Sequence, residues 1–217
     1  MLEIKNLQLC HSQTAICQNV NLTLTNGEIF GVVGPSGVGK SSLIKAIAGV
    51  MPLKGGSIYW QGKIWSQEQQ VVALEKRGLG LVLQDPALFP HMTVEQNMAF
   101  GLTALSKGDK QKRIAEMLAL VEMTGFEKRY PHELSGGQAA RIALARSLAP
   151  QPQLLLLDEP FANLDKDLSL RIIERLQKLF AQNGTSVLLI THELKEAKSL
   201  CNRILSFTAN GLEPLAA

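Results

Sequence analysis

The sequence predicts an α/β fold with a mainly parallel sheet, an antiparallel β edge layer and an inserted α-helical subdomain. Four short, continuous apolar runs have the composition of buried parallel strands and alternate with helical periodicity. These runs are 29–33, 79–84, 154–158 and 186–191. The runs 2–9 and 20–25 alternate apolar with polar residues instead, which is typical of half-buried antiparallel strands. Between residues 87 and 149, helical segments follow one another with no strand between them.

The chain of 217 residues is long enough for one compact domain with a sizeable core. We expect the core of the fold to comprise residues 1–86 and 150–217, and the helical subdomain to comprise residues 87–149. A strand is predicted at 203–207, and the tail 208–217 has the turn residues of a hairpin or a loose end.

Composition excludes several classes of protein. Hydrophobic residues make up 46% and charged residues 19%, as in ordinary globular proteins, and the net charge of +3 provides no basic field for nucleic acid. The apolar runs are far shorter than the roughly 18 residues that span a bilayer. No secretory signal is evident, and three cysteines without paired spacing indicate reduced thiols, so we expect a cytoplasmic protein.

A glycine-rich segment lies between the strand at 29–33 and the helical pattern at 40–50. The segment fits GxxxxGK[ST] and consists of Gly34, Pro35, Ser36, Gly37, Val38, Gly39, Lys40 and Ser41. Such a loop turns backbone N–H groups toward phosphates. We expect Lys40 to contact the β- and γ-phosphates, Ser41 to hold Mg²⁺ and Ser42 to reach the α-phosphate. The alternative is a glycine-rich turn that matches by chance. With strand and helix in place, the sequence predicts a P-loop NTPase core that binds ATP with Mg²⁺.

Two carboxylates follow the buried strand at 154–157. We expect Asp158 to hold Mg²⁺ through water, and Glu159 to lie near the water that attacks the γ-phosphate and to act as general base. Pro160 disfavours helical geometry at Glu159. Alone, the pair is equally compatible with two acids that end a strand at a solvated surface.

A second anion-binding helix start is predicted at 134–138. Its residues are Leu134, Ser135, Gly136, Gly137 and Gln138, and helical periodicity follows. One ATP has one γ-phosphate, which the first loop already binds. A second site therefore requires a second nucleotide or a second subunit.

With these motifs in this order, the chain resembles the ATP-binding cassette proteins over nearly its whole length. The segment 134–138 matches the family's LSGGQ signature, Gln84 its Q-loop glutamine, Asp165 its D-loop and His192 its switch histidine. The resemblance implies a head-to-tail dimer in which ATP lies between the loop 34–41 of one subunit and Ser135 to Gln138 of the other.

The resemblance also implies roles for single residues. Gln84 contacts Mg²⁺ and links the helical subdomain to the core, His192 contacts the γ-phosphate, and Asp165 communicates across the interface. The implied catalytic residues are Glu159, His192, Gln84 and Lys40, and the implied metal ligands are Ser41, Gln84 and Asp158.

The stretch 87–94, with Asn97, resembles most closely the importer-type ATPases of bacterial solute uptake. This implies integral membrane permease subunits as partners, a solute-binding protein indirectly, and a peripheral position on the cytoplasmic face of the inner membrane. The alternative for this stretch is core packing. Rival functions are an exporter-type cassette, a cassette ATPase acting on nucleic acid or ribosomes, and a small-molecule kinase. The transported substrate is not encoded in these motifs.

Three features depart from the family pattern. His11 occupies the position of the aromatic residue that stacks on adenine, Ala139 and Ala140 follow the signature, and Ala162 replaces the serine of the D-loop. Loss of that hydroxyl predicts a weaker dimer and not an inactive enzyme. The chain stops soon after the strand at 203–207, so no C-terminal regulatory domain is expected.

Overall fold

A computed structural model describes residues 1–11, 14–68, 70–208 and 211–215, with the backbone alone at residues 11, 14 and 15. In chain order the strands are β1 Leu2–His11, β2 Thr14–Leu24, β3 Ile29–Val33, β4 Gly55–Trp60, β5 Lys63–Gln67, β6 Gln70–Val71, β7 Gly80–Val82, β8 Leu154–Asp158, β9 Ser186–Thr191, β10 Arg203–Thr208 and β11 Gly211–Pro214. The α-helices are α1 Lys40–Ala48, α2 Val94–Ala99, α3 Lys107–Leu120, α4 Gly136–Leu148, α5 Lys166–Asn183 and α6 Leu194–Leu200.

The larger sheet has the strand order β11-β10-β3-β9-β8-β7. All neighbours pair in parallel except β11, which forms an antiparallel hairpin with β10. Strands β3, β8 and β9 are buried along their whole length, which explains why their sequences are continuously apolar. The predicted parallel sheet and the hairpin alternative for the tail are therefore confirmed.

The antiparallel strands form a separate sheet with the order β2-β1-β4-β5-β6. This sheet and α1 pack on one face of the larger sheet, with Leu154 and Leu156 of β8 on that side. Leu155 and Leu157 face the opposite way and pack against the helical layer. The alternation of β8 between two hydrophobic clusters is the period of two expected of a strand.

One buried cation joins the smaller sheet to α1. The Arg77 guanidinium donates to the backbone oxygens of Ile47, Trp65 and Val72 and to the Ser66 hydroxyl. Burial lowers its pKa to about 10. Because Ile47 lies in the last turn of α1, Arg77 satisfies one carbonyl at the negative end of that helix.

Helices α2, α3 and α4 all fall within the segment 87–149. Asn97 is fully buried, and its side chain stabilises the segment that precedes α2. Its Oδ1 accepts from Phe89 N at 2.8 Å, and its Nδ2 donates to the oxygens of Phe89, Met92 and Thr93. In the part of the chain that the structure describes, no helix combines the length and the apolar character needed to cross a membrane.

Candidate active site

Four adjacent parallel strands end at the same edge of the larger sheet. The glycine-rich loop follows β3, His192 follows β9, Glu159 follows β8 and Gln84 lies two residues beyond β7. The order β3-β9-β8-β7 makes these strands consecutive neighbours. Ligands of open α/β sheets bind at such carboxyl ends. The topology thus gathers the predicted chemical groups at one edge.

The glycines of the loop are required by close packing and by backbone geometry. A Cβ atom at Gly34 would lie 2.7 Å from the carbonyl oxygen of Phe207, and Gly39 has a φ of 109°. A Cβ atom at Gly39 would also lie 2.3 Å from Cγ2 of Ile16. Substitution at either position would therefore displace the loop from the wall formed by Phe207 and Ile16.

Lys40, the first residue of α1, is folded into the loop. Its side chain is buried, and Nζ donates to the carbonyl oxygens of Gly34 and Pro35, at 2.8 Å each. This places the ammonium group in the concavity of the loop, next to the positive end of the helix. Both features favour an anion at this point.

Ser41 and Asp158 meet beneath the loop. Ser41 Oγ donates to Asp158 Oδ1 at 3.1 Å. Asp158 is 2% exposed; burial raises the pKa of its carboxyl group, and the hydrogen bond from Ser41 opposes that shift. A hydroxyl and a buried carboxylate side by side are hard oxygen donors of the kind that Mg²⁺ prefers. The chemistry of this pair therefore fits a magnesium ion.

Glu159 contacts the predicted switch histidine. Its Oε2 lies 3.3 Å from His192 Nδ1, and its backbone N–H donates to the Ile190 oxygen at 2.8 Å. Glu159 has a φ of 49°, a left-handed conformation that is costly for a residue with a side chain. The backbone thus leaves right-handed helical geometry before Pro160, as predicted.

The loop that carries His192 is fixed by two residues for which the sequence motifs provided no role. Thr191 Oγ1 donates to Glu196 Oε2 at 2.8 Å and accepts from the Glu193 N–H at 3.0 Å. Burial raises the pKa of the Glu196 carboxyl group. A groove of about 470 Å³ adjoins this loop, and Ala162 and His192 are among its lining residues.

The predicted signature segment forms the N-terminus of α4. Ser135 is the N-cap: its Oγ accepts from Gln138 N at 3.3 Å, while Gln138 Oε1 accepts from Ser135 N at 2.9 Å. The Gln138 side chain therefore serves a capping box. No hydrogen bond or ion pair joins 135–138 to the loop 34–41 within the described residues.

The signature packs against the predicted D-loop of the same chain. A Cβ atom at Gly137 would lie 2.5 Å from the Asn163 carbonyl oxygen. Asp165 caps α5 by accepting from Leu168 N at 2.9 Å. This intrachain cap is a role of Asp165 that the resemblance did not imply.

The two signature glycines have different surroundings, which provides a matched pair of variants. We expect Gly137→Ala to destabilise the fold by about 1–3 kcal/mol, because backbone atoms would have to move. Gly136 has open space where its Cβ would lie, so Gly136→Ala should unfold at nearly the parental temperature. Thermal unfolding measures both, and equal midpoints for the two variants would contradict the close contact at Gly137.

Some predicted residues are not brought into contact with the rest. Gln84 is exposed at the sheet edge, and the His11 side chain lies outside the described residues, so its stacking on adenine stays a prediction. Ile16, which sequence reasoning missed, forms the wall of the loop at Gly39. Ile16 precedes the predicted alternating run 20–25, and no pattern in the sequence indicated that contact.

Comparison with known families bears on one of the rival functions. Residues 17–162 match the model of the family described as ABC transporter. The chain belongs to the ABC transporter family. The resemblance drawn from the motifs is thereby confirmed, and the small-molecule kinase is excluded.

Among curated proteins, this ABC cassette is similar to several ATP-binding proteins. It is 44% identical to the putrescine transport ATP-binding protein PotG of Escherichia coli (strain K12), covering 94% of this chain and 54% of that protein. It is 40% identical to the Fe(3+) ions import ATP-binding protein FbpC of Streptomyces coelicolor, covering 94% and 58%. It is 40% identical to the probable sulfate/thiosulfate import ATP-binding protein CysA of Chlorella vulgaris, covering 93% and 85%. The chain thus spans between half and three-fifths of the first two relatives.

Among solved structures, the cassette is similar to two dimers of one protein. The post-hydrolysis ATP-binding cassette MJ0796, bound to ADP and Pi, superposes with a TM-score of 0.89 at 29% identity, covering 98% of this chain and 97% of that one. A second MJ0796 dimer, described as a bacterial ABC transporter cassette, has a TM-score of 0.86 at 28% identity over the same shares. The predicted α/β P-loop NTPase fold is confirmed.

Proposed function

We propose that this cassette hydrolyses ATP to drive solute uptake through a membrane permease, and that it works as a head-to-tail dimer. The observation that carries the proposal is the pair of contacts beside the glycine-rich loop: Ser41 to Asp158 at 3.1 Å, and Glu159 to His192 at 3.3 Å. These contacts support the proposal, because a metal would find oxygen donors in Ser41 and Asp158, and His192 would orient the carboxylate of Glu159.

Binding of ATP is assigned to the loop and to Lys40. The ammonium group and the N-terminus of α1 provide positive charge where the β- and γ-phosphates would lie. Ser41, Asp158 and Gln84 are the residues that would hold Mg²⁺, and Mg²⁺ supplies charge that offsets the phosphate oxygens.

Hydrolysis is assigned to Glu159 as the base that accepts a proton from the attacking water. Its side chain is 14% exposed, so the carboxylate is partly shielded yet still open at the sheet edge. His192 Nδ1 contacts one oxygen of this carboxylate, which leaves the other oxygen for water. His192 would also contact the γ-phosphate.

The proposed dimer would complete a nucleotide site of which a single chain provides only part. Ser135 and Gly136 are exposed at a helix N-terminus and make no hydrogen bond to the chain's own loop 34–41 in the described ranges. The dimeric MJ0796 structures support completion of each site by a second copy. Ala162 lacks the usual hydroxyl, so we expect this dimer to be weaker than those of relatives with serine there.

The assignment to solute import draws on the relatives. They are named for putrescine transport, Fe(3+) import and sulfate/thiosulfate import, at similar identity to this chain. Because these solutes include an organic cation, a metal ion and oxyanions, the proposal stops at solute uptake, with selectivity residing in other subunits. Phe89 and Phe100, whose rings lie 4.7 Å apart, with Phe100 59% exposed, offer an apolar surface to a permease helix on the cytoplasmic side of the inner membrane. A solute-binding protein would be an indirect partner.

Two measurements test this function. Purified protein should release phosphate from ATP in the presence of Mg²⁺ and should lose that activity with EDTA. Tagged protein should co-purify with a permease encoded beside it and should raise its solute uptake. ATP hydrolysis without a permease partner would reject import while leaving the ATPase assignment in place.

Asp158→Asn should raise the stability of the protein and abolish its activity. Burial raises the pKa of Asp158, which means that the folded state stabilises the charged carboxylate less than water does. At neutral pH the charged carboxylate therefore lowers the stability of the folded protein. Removing that charge should stabilise the protein by about 0.5–2 kcal/mol, while Mg²⁺-dependent hydrolysis is lost.

Thermal unfolding at neutral pH and phosphate release check the two halves of this prediction. The gain in stability should shrink as the pH falls, because Asp158 then becomes neutral in the parent too. A variant that melts below the parent at pH 7 would contradict the desolvation argument.

A further inference from the structure

The turn that ends α3 is held by a single carboxylate with two arginine partners. Glu122 Oε1 and Oε2 accept from Arg171 Nε at 3.1 Å and Nη2 at 3.2 Å, a two-pronged contact. Arg175 Nη2 lies 2.9 Å from Oε1 of the same carboxylate. The hydrogen bond from Arg171 lowers the pKa of Glu122. Both arginines belong to α5, so Glu122 ties α5 to the end of α3.

The backbone of the same turn is bound by a third arginine. Arg141 of α4 donates through Nη1 to the oxygens of Val121 and Glu122, at 3.0 Å each. Arg175 also donates to the oxygens of Ala119 and Leu120. These carbonyls are at the negative end of α3, where cations are favoured. One turn therefore joins three helices.

The backbone conformation of Glu122 is unusual for its residue type. Its φ of 56° lies in the left-handed region, where a glycine or asparagine usually ends a helix. A glutamate at this position accepts a conformational cost that glycine would avoid. The contacts of its carboxylate with Arg171 and Arg175 are interactions that a glycine could not make.

Helices α4 and α5 begin at the two segments that contact each other at Gly137 and Asn163. Ser135 caps α4, Asp165 caps α5, and a Cβ at Gly137 would lie 2.5 Å from the Asn163 oxygen. Burial lowers the pKa of Arg141, and the charges of Glu122 and Asp165 oppose that shift. The two helices are thus connected twice. Gly137 and Asn163 are in contact near the N-termini, and further along Arg141 of α4 and Arg171 of α5 both bind Glu122.

We propose that Glu122 is a positioning residue that fixes the signature at the start of α4 relative to the D-loop at the start of α5. The inference rests on the proposed function, in which these two segments complete the nucleotide site of a second copy. The carboxylate of Glu122 binds Arg171 and Arg175 of α5, and the backbone oxygen of the same residue accepts from Arg141 of α4, so the turn at Glu122 connects the two helices.

Hydrogen exchange of the isolated protein tests the positioning directly. The variants are Glu122→Gln, which keeps the shape of the side chain, and Glu122→Gly, which suits the left-handed backbone and so protects the fold. We expect amides at 139–143 and 169–173 to exchange about tenfold faster, and those at 43–48 in α1 to be unchanged. Glu174→Gln, an exposed site on α5, is the matched control and should match the parent. Unchanged exchange, or an equal rise in all three segments, would overturn the proposal.

ATP-dependent dimerisation tests the consequence for the partner's site. In a Glu159→Gln background, loss of the Glu122 carboxylate should raise the ATP concentration for half-dimerisation about tenfold, with ATP binding to the monomer within about twofold of the parent. Glu122→Asp should recover part of the loss. Dimerisation at the parental ATP concentration would overturn the positioning role. If the Glu159→Gln parent itself stays monomeric with ATP, the proposed dimer is wrong, and hydrogen exchange still decides the role of Glu122.

Discussion

Glu159→Gln should reduce ATP turnover about 10³-fold while the protein still binds ATP. An amide has the size of the carboxylate and can keep the contact with His192, but it cannot accept the proton of the attacking water. The left-handed backbone at Glu159 and its hydrogen bond to Ile190 do not depend on the charge. Phosphate release under saturating ATP and binding of a fluorescent ATP analogue measure the two effects separately.

Glu193→Gln provides the matched control for this variant. Glu193 also lies near His192, with 3.9 Å between its Oε1 and Nε2, but its side chain is 54% exposed. Turnover of Glu193→Gln should stay within about twofold of the parent, because an exposed contact between polar side chains contributes little. If Glu159→Gln kept substantial turnover, or if both variants lost it equally, Glu159 would not be the base.

The larger sheet was predictable because its strands carry a local signal. Strands β3, β8 and β9 are continuously apolar, and the structure places them at the predicted residues. The smaller sheet was predicted only in part. The alternating run 2–9 gave most of β1 and the run 20–25 gave only the second half of β2, whereas β4 and β5 were not predicted. Their short runs include glycine, lysine and serine. The pairing of β4 with β1 joins segments that are distant in sequence, and β5 joins the sheet only by pairing with β4.

The candidate site was predictable wherever a motif has a fixed chemical requirement. The loop 34–41, Asp158 and Glu159 were found because phosphate and metal chemistry constrain both residue type and spacing. The contact of Ile16 with the loop was not predictable, because an apolar residue in a strand has no distinctive pattern. The helix start at 134–138 was predicted, but the capping role of Gln138 was not. The capping role of Asp165 depends on where α5 begins, which the motifs alone do not specify.

Lys40→Ala should weaken ATP binding about 100-fold and abolish measurable hydrolysis. The Lys40 ammonium group is buried and hydrogen-bonded to two loop carbonyls, so it lies where the phosphate charge would be greatest. A charged hydrogen bond in such a shielded position contributes about 1.5–3 kcal/mol, which corresponds to roughly 10- to 150-fold in affinity. Direct binding of a fluorescent ATP analogue is the measurement.

Lys45→Ala tests whether the loss of ATP affinity depends on the position of the lysine or only on the total charge of α1. Lys45 lies in the last turn of the same helix, and its side chain is exposed. Both variants remove one positive charge from α1, yet only Lys40 is folded into the loop. Solvent screens an exposed charge, so Lys45→Ala should bind ATP within about twofold of the parent. Equal losses in the two variants would mean that the general field of the helix attracts the nucleotide, and the specific contact of Lys40 with the phosphates would then be wrong.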